Sequence, residues 1–191
     1  MAVRLNYDLS CVRLRELGLL AHDSHPPMPE RLPQYDDNEP LGFSIFRTLL
    51  DDALDLSDLT LPRTFFGRSQ INRVSFWNSN LRQSNLCWND FEGTDFTGAD
   101  LTGSDMRSSL FNKVLFVTTN LDGADLRRSS FTDCLFEETI MNRVILTRQQ
   151  GATMRLSEKQ RRSIDWRDEN GPRRVEDRAP PILRRFAGTH S

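Results

Sequence analysis

The sequence predicts an all-β solenoid with a square cross-section, because its middle part repeats with a period of five. From Leu61 to Leu146 every fifth residue is large and apolar, 18 times in succession with no insertion. With 37% hydrophobic residues in the chain, such a run has a chance probability on the order of 10⁻⁸. A period of five fits neither a helix nor a strand, so the chain must turn a corner every five residues. No proline lies between Pro62 and Pro172, which agrees with continuous backbone pairing.

We call each of these large apolar residues the central residue of its quintet. From Thr64 to Val144, the residue two positions before each central residue is small or β-branched, except at Asn89. Alternate residues of an extended segment share a face, so both positions point into the solenoid and fill its bore. The other three residues point outward or form the corner, where Gly93, Gly98 and Gly103 permit an unusual backbone conformation.

Two stretches of the run carry a resemblance to a known family. Ala99-Asp100-Leu101-Thr102-Gly103 and Ala124-Asp125-Leu126-Arg127-Arg128 resemble the pentapeptide-repeat family, whose motif is A(D/N)LXX. The resemblance covers residues 61–146. It implies a right-handed, four-sided parallel β-helix.

Folding the run with four quintets per coil supports four sides independently, because it sorts the central residues by type. Face one stacks Leu61, Leu81, Leu101, Leu121 and Met141; face three stacks Ile71, Phe91, Phe111 and Phe131; face four stacks Phe76, Phe96, Phe116 and Phe136. Face two lies between faces one and three. Stacked aromatic rings gain offset contacts. The run then makes a little over four coils.

The flanks of the solenoid are expected to cap its two ends, because unpaired strand backbone there would template aggregation. Residues 1–53 are predicted to be an irregular, partly helical N-terminal cap, with a proline-rich loop at 25–40 and one or two helical turns at Phe43–Leu50. The solenoid is assigned to 54–148 and a short helical C-terminal cap to 149–166. Ser157-Glu158-Lys159-Gln160 has the capping-box pattern of a helix start and predicts a helix from about Glu158 to Asp165. Residues 167–191 are expected to be a flexible basic tail.

No arrangement of residues points to catalysis, a cofactor or a metal. A catalytic Cys or Ser needs a positioned base, and no histidine lies between residues 26 and 189. The three cysteines and three histidines have no metal-ligand spacing. Cys134 is expected to fill the core and Cys87 to be a surface thiol. The protein is therefore expected to be non-enzymatic.

Composition favours a cytoplasmic protein that does not enter a membrane, since the sequence has neither a signal-peptide core nor an apolar run of membrane length. The net charge of −2 hides an asymmetry. Residues 1–63 carry −5, residues 64–146 carry −2 and residues 147–191 carry +5.

The outside of face four is the candidate surface for a protein partner, because exposed apolar patches usually mark contacts. Its outward apolar residues are Trp77, Leu115, Val117 and Leu135, with Leu115 and Leu135 one coil apart. Two alternatives remain open: Phe43–Leu50 folds back over this face, or a homodimer forms through it.

The outside of face two is a candidate anion-binding strip. Its basic residues are Arg68, Arg107, Arg127, Arg128 and Arg148. The alternative is a solvated surface that is paired internally, because Asp105 and Asp125 lie on the same face and surface charges usually contribute little. Base-stacking residues are sparse, so nucleic-acid recognition is not favoured. In the tail, Ile182, Leu183 and Phe186 could form a docking peptide.

The favoured function is a non-catalytic scaffold that binds a protein partner through an outer face or the basic tail. The resemblance implies an alternative, because some members of the family are DNA-mimicking rods that protect or inhibit gyrase or topoisomerase. Charge argues against the alternative: a duplex mimic needs dense negative charge, whereas the repeat body carries only −2.

Overall fold

The computed structural model describes residues 3–23, 44–51 and 54–171, and most of them form a four-sided parallel β-solenoid of about six turns. The prediction of a little over four coils was therefore too small. The loop at 25–40 and residues 172–191 of the tail lie outside the described residues.

Short strands form the sides of the solenoid and pair in parallel from coil to coil. They are β1 (Ser44–Phe46), β2 (Leu49–Leu50), β3 (Phe65–Gly67), β4 (Gln70–Asn72), β5 (Asp90–Glu92), β6 (Leu110–Asn112), β7 (Ser130–Thr132), β8 (Ile145–Leu146) and β9 (Asp165–Trp166). Ile71 pairs with Phe91, Phe91 with Phe111 and Phe111 with Phe131. Each coil from the second onward therefore consists of four quintets, as the sequence predicts.

The bore is packed by the central residues, which are almost completely buried except for the half-buried Phe131. On face four, Phe96 stacks on Phe76 at 5.1 Å between ring centroids and on Phe116 at 5.5 Å. On face three, Phe111 stacks on Phe91 at 5.0 Å and on Phe131 at 5.1 Å. The neighbouring faces meet edge to face, as between Phe111 and Phe116. Both geometries are favourable for aromatic rings, so the two phenylalanine columns support each other.

The corners lie two residues after each central residue, and all of them from 63 to 143 have positive φ. Glycine occupies only four of these positions, Gly93, Gly98, Gly103 and Gly123. Side-chain-bearing residues in this region cost roughly 1–2 kcal/mol each. The inter-coil hydrogen bonds and the packed bore must therefore hold these corners in place.

The N-terminal end is covered by a helix. Helix α1 (Tyr7–Glu16) begins at the cap residue Asn6, whose side chain accepts from Leu9 N at 2.9 Å. Its buried face includes Leu14, which belongs to the core cluster. Ser10 Oγ accepts from Thr60 N at 2.8 Å, which ties the helix to the solenoid.

The helix predicted at Phe43–Leu50 was wrong. Residues 44–50 form β1 and β2, which pair with β3 and β4 as the first coil. Leu50 pairs with Ile71, which lies one position beyond the partner that four quintets would give it. Because of this one additional residue, the apolar residues of the first coil do not fall in the five-residue period of the later coils. The segment is therefore part of the solenoid and is not folded back over face four.

At the C-terminal end, two helices take the place of two sides of the last coil. They are α2 (Arg148–Thr153) and α3 (Glu158–Ser163); α3 ends before the predicted Asp165, and α2 was not predicted. Each begins with a capping box, Thr147 with Gln150 and Ser157 with Gln160. The same glutamines donate to the preceding coil, Gln150 to the carbonyls of Leu126 and Ser129 and Gln160 to those of Phe136 and Thr139.

Candidate functional site

The outside of face four carries an apolar cluster where the sequence predicts one. Leu115 and Leu135 are bridge partners on successive coils, and Leu135 is 38% exposed. Leu115 and Val117 are half-buried on either side of the central Phe116. Trp77 is 39% exposed but lies two coils before Val117, so it stands apart from the other three along the axis.

The leucines of this cluster occupy a position that usually serves the fold. The residue before a central residue commonly accepts a hydrogen bond from the backbone two residues on: Asp95 from Thr97 N at 2.8 Å and Asp100 from Thr102 N at 3.1 Å. This is an Asx turn. Leucine has no side-chain acceptor, so Leu115 and Leu135 give up that turn bond and place an apolar side chain on the surface.

The outside of face two is a ladder of aspartate–arginine pairs. Arg107 donates to both carboxylate oxygens of Asp105, at 2.8 and 2.7 Å, and these hydrogen bonds raise the pKa of Arg107. One coil further, Arg127 donates to Asp125 at 3.0 and 2.8 Å.

Further along the ladder, Arg167 pairs with Asp165 at 2.5 Å. The three pairs share the spacing Asp-x-Arg, around Met106, Leu126 and Trp166. That spacing is the signal from which the pairing could have been predicted.

Arg127 lies deepest in the ladder. It is 2% exposed, and its remaining nitrogen donates to the carbonyls of Asp168 and Gly171. An anion would have to break these bonds to reach it. Of the other strip candidates, Arg68, Arg128 and Arg148 are exposed, and Arg128 donates to Asn170.

A third surface, which sequence reasoning did not single out, lies on the edge between faces two and three. Trp88 and Leu110 are each 53% exposed there, and Arg68 and Arg128 stand at corners of the same edge. Arg68 and Arg128 were named as candidates from the sequence, but neither of these apolar residues was. The signal was available, because folding with four quintets per coil brings both beside the arginine corners.

The three cysteines are all buried, and none of them forms a disulfide. Cys134 fills a core position, as predicted, whereas the prediction of a surface thiol at Cys87 was wrong. Its Sγ donates to the carbonyl of Asp105 at 3.5 Å, so the side chain points at the next coil. Burial raises the pKa of the Cys134 thiol. Among the residues of 3–23, 44–51 and 54–171, no cluster of potential metal ligands is present.

The sequence of the solenoid matches a known repeat. Residues 69–107 and 110–148 match pentapeptide repeats, in eight copies. No curated protein matches the chain. Within the part of the chain that the structure describes, no helix has the length and apolar character needed to cross a membrane.

Solved structures with a similar fold are also pentapeptide-repeat proteins or resistance proteins. HetL, involved in heterocyst differentiation regulation in the cyanobacterium Nostoc sp., aligns with a TM-score of 0.51 and 16% identity over 54% of this chain and 48% of HetL. Rfr23 from the cyanobacterium Cyanothece aligns with a TM-score of 0.44 and 16% identity over 69% of this chain and 68% of Rfr23.

QnrB1, a plasmid-mediated fluoroquinolone resistance protein, aligns with a TM-score of 0.28 and 11% identity over 66% of this chain and 90% of QnrB1. At these identities the likeness concerns the fold alone. The matched part of this chain spans about half the length of HetL.

Proposed function

Because the solenoid of this chain belongs to the pentapeptide-repeat family, we propose that the protein is a non-catalytic scaffold that binds a protein partner through the outside of face four. The contact surface is the apolar cluster of Leu115, Val117 and Leu135, with Trp77 at its edge. Residues 172–191 of the basic tail, which was named as the other route to a partner, lie outside the described residues.

One observation carries the proposal: leucine replaces the turn acceptor on two successive coils. The position directly before a central residue favours Asp, Asn or Ser, because their side chains accept the turn hydrogen bond. In these two quintets it is occupied by leucine, which cannot accept it. Each lost bond costs about 1 kcal/mol, so the leucines are better explained by a contact outside the chain. Adjoining apolar side chains on a surface usually mark a contact with a partner.

The test restores the repeat's own residue at both positions. In the double variant Leu115→Asp/Leu135→Asp, each aspartate can accept the turn bond, so we expect the solenoid to fold and the partner to be lost. The wild type and the variant are immobilised, and the proteins that each captures from native extract are quantified. A protein that the wild type captures and the variant does not is then purified, and its affinity for both is measured. We expect binding at least about tenfold weaker for the variant, equivalent to about 1.4 kcal/mol.

Two controls separate this surface from the rest of the chain. Arg68→Gln/Arg128→Gln changes a different surface and should leave the capture unchanged. A chain ending at Gly171 removes the tail and should also capture the partner. Equal capture by the wild type and the double aspartate variant would sink the proposal. If light scattering shows that the wild type is a dimer and the double aspartate variant is a monomer, the surface binds a second copy of the chain instead.

The alternative, a DNA-mimicking rod that acts on gyrase or topoisomerase, is supported less well by the arrangement of charges. Asp105 and Asp125 are neutralised by Arg107 and Arg127, so face two presents no uninterrupted row of negative charge. A supercoiling assay tests it directly. Protein that neither inhibits gyrase nor rescues it from a poison would remove this alternative.

A further inference from the structure

We infer that the edge between faces two and three is a second docking surface, which binds an acidic amphipathic helix laid parallel to the solenoid axis. The edge consists of five corner residues and the five residues two positions beyond them. The corner residues are Arg47, Arg68, Trp88, Ser108 and Arg128, and the others are Leu49, Gln70, Asp90, Leu110 and Ser130.

Apolar exposure on this edge is unusual for the molecule. Leu49, Trp88 and Leu110 are each more than half exposed. Leu110 pairs with Asp90 on one side and Ser130 on the other, so it stands in a polar row rather than in a core. Tryptophan is among the residues most enriched at binding hot spots, and Trp88 lies one coil before Leu110 and two coils after Leu49 on this edge.

Trp88 stands at a left-handed corner, where most positions of this solenoid carry a side chain, and what sets it apart is a large ring that the fold leaves mostly exposed. Its φ is +60°, in the left-handed region where an L-residue costs roughly 1–2 kcal/mol. Glycine occupies the same kind of corner at Gly93 and Gly98. A large ring that is mostly exposed gains little packing in return, so glycine would serve the corner better.

The charge of the edge selects an acidic partner. Its ten positions include three arginines, Arg47, Arg68 and Arg128, and one acid, Asp90. Arg128 and Arg148 also line a groove of about 690 Å³, but Asp168 and Glu169 line it as well, so the basic surface ends at Arg128. Unlike Arg107 and Arg127, Arg68 and Arg128 are exposed, so a partner reaches their guanidinium groups.

The spacing along the edge favours a helix as the occupant. Successive coils repeat at about 4.8 Å, the distance between neighbouring strands, and an α-helix rises about 5.4 Å per turn. A helix parallel to the axis therefore places one side chain opposite each coil over several turns. Leucines on its near face would contact Trp88 and Leu110, and flanking glutamates would reach Arg68 and Arg128. This surface is distinct from face four, and its occupant does not depend on the proposal made there.

The probe is a fluorescein-labelled helical peptide of about 18 residues, which spans about 27 Å, with leucines along one face and glutamates flanking them. Binding to the full chain is measured by anisotropy. We expect saturable binding that weakens as salt is raised, because the glutamate–arginine contacts are screened. A peptide of the same composition in scrambled order lacks the apolar face and should bind at least about tenfold more weakly.

Three protein variants assign the binding to the edge. Trp88→Gly, which relieves the left-handed corner, should melt no lower than the wild type yet bind the peptide at least about tenfold more weakly. Arg68→Gln/Arg128→Gln should bind equally weakly and lose most of the salt dependence. Leu115→Asp/Leu135→Asp, on face four, should bind the peptide as the wild type does.

Several outcomes would overturn the inference. These are no binding of the ordered peptide up to about 1 mM, the weak end of recognition, equal binding of the scrambled peptide, or unchanged binding by Trp88→Gly. Retention of single-stranded oligonucleotide or anionic vesicles by the same arginines, without peptide binding, would replace the helix with another class of anion.

Discussion

Faces two and four are built on the same backbone and the same bore, yet their outer surfaces serve different ends. On face two, the residues flanking the central residues pair with each other, as Asp105 does with Arg107 and Asp125 with Arg127. On face four, Leu115 and Leu135 adjoin each other on successive coils and offer no polar group. One surface is satisfied by its own side chains, and the other presents apolar side chains outward.

The difference teaches that inward and outward positions of this solenoid carry separate information. The inward positions follow one rule on all four faces, because the bore accepts only a narrow range of volumes. The outward positions have no such rule, and each face combines them differently. Stability should therefore depend on the inward residues and on face two, whereas changes on face four should affect binding.

The largest effect is expected at Phe116, behind face four. Phe116→Asp puts a carboxylate between Phe96 and Phe136, in a position that is fully buried, where no partner compensates its desolvation. We expect loss of more than about 4 kcal/mol and an insoluble or unfolded chain. Phe116→Leu is the matched control and should stay folded. A soluble Phe116→Asp variant with a cooperative melt would contradict the inward placement.

The second effect tests the pairing on face two. Asp125→Ala leaves the buried guanidinium of Arg127 without its carboxylate, and removal of one partner of a buried pair costs about 3–5 kcal/mol. Urea unfolding followed by circular dichroism measures the loss. The double variant Asp125→Leu/Arg127→Met removes both charges and should recover most of it. If Asp125→Ala unfolded at the same urea concentration as the wild type, the stability of the protein would not depend on the ion pairs of face two.

A smaller effect separates the inner sides of the two faces. Thr94, inside face four, donates from its hydroxyl to the carbonyl of Ile71 at 3.0 Å. Ser104, inside face two, is the one buried side chain of the described residues whose polar atom has no partner. Thr94→Val should cost about 1 kcal/mol, and Ser104→Ala should be neutral or stabilising by about 1 kcal/mol. Equal losses in denaturant unfolding would argue against this difference.

The smallest effect is expected on face four itself. Leu135→Asp replaces an apolar surface residue by the usual turn acceptor, so its free energy of unfolding should change by less than about 1 kcal/mol, with either sign. Thermal melting measures it beside Leu135→Ala, which offers no acceptor. A loss above about 2 kcal/mol, the size expected when a buried leucine is removed, would show that Leu135 packs within the chain.

The sequence determines the bore because burial leaves few choices. The stacking of Phe96 on Phe116 and the coil length of four quintets follow from the period alone. The first coil escapes that period because one additional residue separates Leu50 from Leu56. Helix α2 was not predicted, although Thr147 and Gln150 have the capping-box spacing. Its start signal directly follows Leu146, the last residue of the five-residue period, so the end of the solenoid and the start of the helix coincide in the sequence.

The surfaces were harder to predict. The period shows which residues point outward, but it does not show which outward side chains pair with each other. The alternative of internal pairing on face two describes Arg107 and Arg127, whereas Arg68 stays exposed. The apolar cluster on face four was predicted from Leu115 and Leu135. The same folding with four quintets per coil could have placed Leu110 beside the arginine corners, whereas Leu49 lies in the first coil, which the five-residue period does not reach.

The constant length of the circuit from the second coil onward has a consequence for any insertion or deletion. One quintet makes one side, so the gain or loss of a single quintet between two coils would turn everything after it by a quarter of a revolution. The docking leucines would then lie on the outside of another face, and the indole would leave its basic neighbours. Only whole circuits can be added or removed without scrambling the surface map, which makes the length of this protein a quantity that changes in discrete steps.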